Sequence, residues 1–231
     1  MFNHIIDLTH DIRPGMPLWP GDPAVRIRVV ASIARDGYLL RAMESGEHTG
    51  THIGAPAHFE PGGITVEQIP PETLVRPAIV IDVVEKAEAN PDYALVRGDI
   101  TLWEDMHGRI PHGCVVLLRT GWRQRWNDPT AFLNIGMDAL PHFPGFSAEA
   151  AGILIDQRGC AALGTDTHGI DPGNDPQFRA GRLLAARGRY HIECLNRLDA
   201  LPPAGALLIA APLTVDGGSG SPARIFAFLP D

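Results

Sequence analysis

The feature that most constrains this chain is a series of short apolar runs, rich in β-branched residues and set among glycine, proline and aspartate. They lie at Ile5 to Leu8, Val25 to Ala31, Ala78 to Val84, Cys114 to Arg119, Cys160 to Gly164, Ala206 to Ala211 and Arg224 to Leu229. Runs of that length with those flanks read as strands of a sheet or flattened barrel. Helical patterns fall between some of them. One runs from Ala148 to about Arg158, with Ser147 as N-cap and Glu149 in the first turn, where its charge complements the helix dipole. A second covers about Phe178 to Arg187 and stops at Gly188, a residue suited to a helix C-terminus. The class is therefore α/β or α+β.

A chain of 231 residues suits one domain, 1–231, better than two, and it buries a core without staples. No apolar run approaches the ~20 residues of a membrane span. Met1 to His10 carries acid and histidine where a secretory leader has a basic end and an apolar stretch, so a cytoplasmic protein is expected. Nineteen Lys plus Arg against 27 Asp plus Glu leave a formal charge of −8, which argues against nucleic acid as a partner. The basic and aromatic segment Arg119 to Trp126 accordingly reads as a turn after a strand. Cys114, Cys160 and Cys194 are odd in number and sit in or beside apolar segments, which favours reduced core thiols over a catalytic cysteine. Lys86, in the polar stretch Glu85 to Glu88, reads as solvated surface.

Two long loops, Arg13 to Pro23 and Glu47 to Pro71, stand out, because long loops in compact domains are usually functional. The second holds His48, His52 and His58, three of the ten histidines. His48 and His52 are four residues apart, so one helical turn, or a tight turn through Gly50, aims both imidazoles at one point. Gly50, Gly54 and Pro56 describe a specific backbone path around them.

His48-Thr49-Gly50-Thr51-His52, followed by Pro56 and His58-Phe59, resembles the signature of the cyclase family of metal-dependent hydrolases, the group of the kynurenine formamidases and isatin hydrolases. The resemblance extends through Pro17 to Pro23, Leu118 to Trp122, Gly164-Thr165-Asp166, Ile170-Asp171-Pro172, His191-Ile192-Glu193 and Ser221 to Arg224, nearly the whole chain. It implies a mixed sheet curled into a barrel-like layer with surrounding helices, and a homodimer or homotetramer. It also implies a divalent cation, zinc or manganese, with His48, His52 and Glu193 as ligands and His58 as general acid or base, Glu193 counting among the catalytic groups. Trp19 and Phe59 become candidate substrate contacts.

Two departures from that family pattern carry weight. Its aspartate two residues after the second histidine is Gly54 here, and its histidine twelve residues before the C-terminal glutamate is Gly181. Neither glycine offers a donor, so a two-metal site is not expected. His191, on the same face as Glu193 if that segment is a strand, and His168 are candidates to fill the gap. The alternatives are a strand imidazole satisfied by backbone for His191 and a water-exposed loop residue for His168. Three functions follow. The first is a single-metal hydrolase of a small amide, cyclic amide or lactone. The second is a metal-independent acid/base enzyme catalysing cyclisation, elimination or isomerisation. The third is a non-catalytic relative holding an aromatic acid between Trp19 and Phe59, with Arg119 or Arg224 pairing the carboxylate.

Overall fold

The computed structural model describes residues 2–230. Its strands are β1 (Phe2–Asp7), β2 (Arg26–Ala31), β3 (Leu40–Glu44), β4 (His52–Gly54), β5 (Val75–Asp82), β6 (Ala94–Leu95), β7 (Val115–Arg119), β8 (Gly145–Phe146), β9 (Ala162–Thr165), β10 (Tyr190–Glu193), β11 (Ala206–Pro212) and β12 (Gly220–Pro230). The main sheet runs β1-β12-β11-β5-β7-β9-β10-β4, and β4 also pairs with β12. That last pairing closes seven strands into a barrel and leaves β1 on the outside of β12. The β5-β7-β9-β10 segment is parallel and the remaining pairs are antiparallel. The barrel-like α/β architecture implied by the family resemblance is the one found.

Alternation along the strands divides the core in two. Val80, Leu117, Ile192, Leu208 and Ile225 pack with Ile53 inside the barrel. Ile79, Ile81, Val116, Leu118 and Leu163 face outward onto Trp103, Phe146 and Leu154. The parallel strands are buried on both faces over most of their length, which is why they read as unbroken apolar runs, whereas burial alternates along β11 and β12.

Ser147 caps its helix as expected, accepting the Ala150 amide at 3.1 Å. That helix keeps α geometry only over Ala148–Gly152 and continues as a wide turn, Ile153–Gln157, in which the Arg158 amide reaches back five residues to the Ile153 carbonyl. The second expected helix is Arg179–Ala186, entered through Phe178 at φ 51°. The longest helix, Arg97–His107, lies where no element was expected, its start fixed by Asp99 accepting the Val96 amide. All three cysteines are buried and free. Among the described residues no helix is long and apolar enough to cross a membrane.

Candidate active site

The site forms where β4 closes the barrel between β10 and β12. Glu193 pairs with His52 across the β4–β10 ladder, and His191 pairs with Gly54. Beyond Glu193 the chain leaves β10 through Cys194 in the left-handed region, φ 52°. An L-residue adopts that conformation only when its surroundings hold it there. Here the Thr51 hydroxyl donates to the Cys194 carbonyl at 2.6 Å, and the Cys194 amide donates to the Thr167 carbonyl at 2.9 Å. These bonds tie the histidine loop, the end of β10 and the His168 loop together.

His52 is completely buried. Its Nδ1 lies 2.8 Å from the Gly50 carbonyl, which can only accept, so Nδ1 carries the proton and a neutral ring presents a lone pair at Nε2. That lone pair has no hydrogen-bond partner and stands 3.5 Å from Glu193 Oε2. His168 Nδ1 is also 3.5 Å from Oε2, and His191 Nε2 is 3.1 Å from Oε1. His168 and His191 are 3% and 2% exposed, and the Nε2 of each is buried without a hydrogen bond. His168 is therefore no solvated loop residue, and His191 is not satisfied by backbone. Burial drives the His52 pKa down to about 4. Burial alone raises a carboxyl, but the surrounding imidazoles outweigh it and hold Glu193 well below the ordinary range. At neutral pH an ionised carboxylate thus faces imidazoles, one of them committed to the neutral form.

His48 sits beside this cluster, its ring 5.1 Å from that of His52 and edge-on to it. Ser219 donates its hydroxyl to Glu47 at 2.7 Å, so it accepts from His48 Nε2 at 3.0 Å. Burial lowers the His48 pKa to about 2, and the ring stays neutral. The turn through Gly50, at φ 65°, brings the two rings together without a helix. The His58 ring lies 3.9 Å from the His48 ring. His58 as a residue remains open to solvent, while partial burial of its ring lowers its pKa.

In front of these groups lies a cavity of about 220 Å³ with aromatic walls from Trp19, Phe59 and Phe178. Phe59 and Phe178 are stacked with centroids 5.5 Å apart, and Trp19 leans on Phe178 at 5.9 Å. The candidates Trp19, His48, His52, His58, Phe59, His168 and Glu193 all line the cavity, and His191 lies behind Phe59 with ring centroids 6.3 Å apart. Arg119 and Arg224 do not line it: they pair with Asp82 and Asp7. The nearby cation is Arg182, 5.5 Å from the Phe59 ring centroid. Sequence reasoning assigned no role to Asp22, Asp171 or Phe178, which also line the cavity. Asp171, pushed up to about 6 by burial, accepts the Ala180 and Gly181 amides and seats the helix start against Phe59. The acid in Ile170-Asp171-Pro172 was the visible signal for it; nothing local marked Phe178.

The side chains suit a divalent cation by donor chemistry: buried imidazole nitrogens without partners, gathered at one carboxylate. Among the described residues no three histidine, cysteine or acidic side chains meet closely enough to hold an ion as they stand.

A buried carboxylate set among imidazoles behind aromatic walls defines an enzyme acting on a small molecule. The Cyclase family model matches residues 6–172. Isatin hydrolase of Roseibium aggregatum is 36% identical, the match covering 98% of this chain and 92% of that protein. The structure of isatin hydrolase A from Ralstonia solanacearum superposes with a TM-score of 0.92 at 37% identity, covering 98% of this chain and 92% of that one. Kynurenine formamidase of Salinibacter ruber is 26% identical, with 95% of each chain covered. The chain belongs to the cyclase family.

Proposed function

We propose that this chain hydrolyses a small cyclic amide, acyl amide or lactone, with one divalent cation on its histidine–glutamate cluster and His58 as acid and base. Hydrolysis of small amides is the activity named for its isatin hydrolase and kynurenine formamidase relatives. The observation that carries the cation is the His52 Nε2 lone pair facing Glu193 Oε2 at 3.5 Å with no proton available between them. Two acceptors buried face to face repel unless a positive charge joins them.

His48, His52 and Glu193 are the proposed ligands, with His168 or His191 completing the set. A bound divalent cation supplies Lewis acidity, polarising a carbonyl and lowering the pKa of a water to about 7. Trp19, Phe59 and Phe178 take a planar substrate by stacking and exclude water from its ring. His58, neutral at pH 7 and open to solvent, takes a proton from water and returns it to the leaving nitrogen or oxygen. Gly54 and Gly181 supply no donor, so one cation is proposed and not two. Zinc or manganese as the ion, a cytoplasmic location and a homodimer or homotetramer complete the proposal.

The test combines metal content with turnover of isatin, formanilide and a small aromatic lactone. About one zinc or manganese per chain is expected, with hydrolysis abolished by chelation and restored by the ion, and both lost in His52→Ala. Full activity after exhaustive chelation refutes the cation and favours metal-independent proton transfer. Stabilisation by these compounds without turnover favours a binding protein.

A further inference from the structure

Gly54 and His191 face each other across β4 and β10, and opposed residues in a ladder project to the same side. An ideal Cβ at Gly54 would stand 2.1 Å from His191 Nε2 and 2.3 Å from its Cε1. No side chain fits at position 54 while the imidazole lies where it does. On the other side of β4, Gly54 pairs with Gly220, where a Cβ would stand 2.5 Å from the Cε1 of His48. The two glycines thus make a floor in the barrel wall, and two imidazoles lie on it.

A ring placed there to fill space would be expected to satisfy its nitrogens or be replaced by an apolar side chain. Instead the His191 Nε2 is buried without a hydrogen bond, 3.1 Å from Glu193 Oε1. The other oxygen of that carboxylate stands 3.5 Å from His52 Nε2 and 3.5 Å from His168 Nδ1. At 3.5 Å the His52 and His168 nitrogens stand beyond the usual hydrogen-bond length from that oxygen, so the carboxylate gathers imidazole donors without satisfying them.

We infer that Gly54 and His191 are a matched pair: the side chain at position 54 is absent so that the His191 imidazole can act as the fourth cation ligand beside His48, His52 and Glu193. This rests on the cation proposed above and assigns its fourth ligand. Three imidazoles and one carboxylate favour a borderline ion such as zinc over manganese, which prefers more oxygen donors.

The test is calorimetric titration of the metal-free protein with zinc alone and with manganese alone, followed by the absorption of the cobalt-loaded form. Folding of each variant is checked by circular dichroism. Zinc is expected to bind at one per chain, at least 100-fold tighter than manganese. His191→Val and Gly54→Ala, the latter displacing the ring with a methyl group, should each weaken zinc at least 30-fold and alter the cobalt spectrum. The double variant should bind no worse than the weaker single one, because both remove the same ligand. His191→Gln serves as the check if His191→Val does not fold. Zinc binding within threefold of the unaltered protein in a folded His191 variant overturns this assignment and leaves the cation itself standing. Manganese bound as tightly as zinc also overturns it. Absence of binding by the unaltered protein removes the cation, and the assignment with it.

Discussion

Replacing His10 with phenylalanine should abolish a definite part of the protein's acid sensitivity. The His10 ring stacks on Trp126 with centroids 4.0 Å apart and an interplanar angle of 16°, is 8% exposed, and leaves Nε2 buried without a partner. Burial, reinforced by Arg123 and Arg13, pushes its pKa down to about 4. The unfolded chain binds the proton near pH 6.5, so between pH 6.5 and 4 the unfolded state holds more protons than the folded one, and stability falls as pH falls. Linkage from those two values gives a loss of about 2 kcal/mol between pH 7 and pH 5 from this one residue, approaching about 3 kcal/mol at pH 4. Phenylalanine keeps the stack and cannot titrate. Urea unfolding of both proteins at several pH values between 5 and 7.5 reads the difference. A misfit of the larger ring moves both ends of the curve equally, so the change with pH is the decisive quantity. Parallel curves, agreeing within about 0.5 kcal/mol after a constant offset, would refute the reasoning.

Asp166→Ala removes a fully buried carboxylate that accepts the Thr120 amide at 3.0 Å, the Thr120 hydroxyl at 2.6 Å and the Gly121 amide at 2.9 Å. Three orphaned donors should cost about 3 kcal/mol and lower the melting temperature by roughly 6–12 °C; a fall under about 2 °C would contradict this. Gly181→Ala sets two effects against each other. Alanine favours a helix by about 1 kcal/mol over glycine, but its Cβ would stand 2.8 Å from Cε2 of Phe59 and 3.1 Å from Asp171 Oδ2. Phe59 is only half-buried and can yield, so stability should hardly change while the displaced ring narrows the cavity. With isatin as probe, KM should rise severalfold at constant kcat, and an unchanged KM would show that Phe59 does not contact substrate.

Much of the fold was legible because the parallel barrel strands are buried on both faces and so announce themselves as apolar runs. Strand β4 escaped that reading. It is three residues long, and its neighbours in sequence are histidines, glycines and a proline, so only hydrogen bonding to β10 and β12 identifies it as a strand. The helix Arg97–His107 escaped for a related reason: Gly98 and scattered charges blur its periodicity, and its stability comes from Trp103 packed against the sheet with its indole donating to the Val80 carbonyl at 2.8 Å. At the site, residue types and their order pointed to His48, His52, His58 and Glu193, but the partners of each nitrogen come from distant segments. The Thr51–Cys194 bond and the Ser219–His48 contact join residues 143 and 171 positions apart. Arg119 and Arg224 looked available for a carboxylate only because their partners Asp82 and Asp7 could not be read from sequence.

The two glycines flanking the site show why a departure in one strand has to be read together with its neighbours. Taken alone, Gly54 is a lost donor. In the barrel, its position is one point in a row that runs from His191 through Gly54 to Gly220, three residues on three hydrogen-bonded strands. Because the sheet closes on itself, the spacing across that row is fixed at the separation of paired strands, and volume vacated on the middle strand can be taken only from the strands beside it. The imidazoles of His191 and His48 occupy the volume above Gly54 and Gly220. Restoring any side chain at position 54 therefore displaces a nitrogen as it introduces an atom, and the two changes have to be made together to be neutral. Donors on such a row are coupled to the side chains beside them, and their chemistry is legible only once the strand pairing is known.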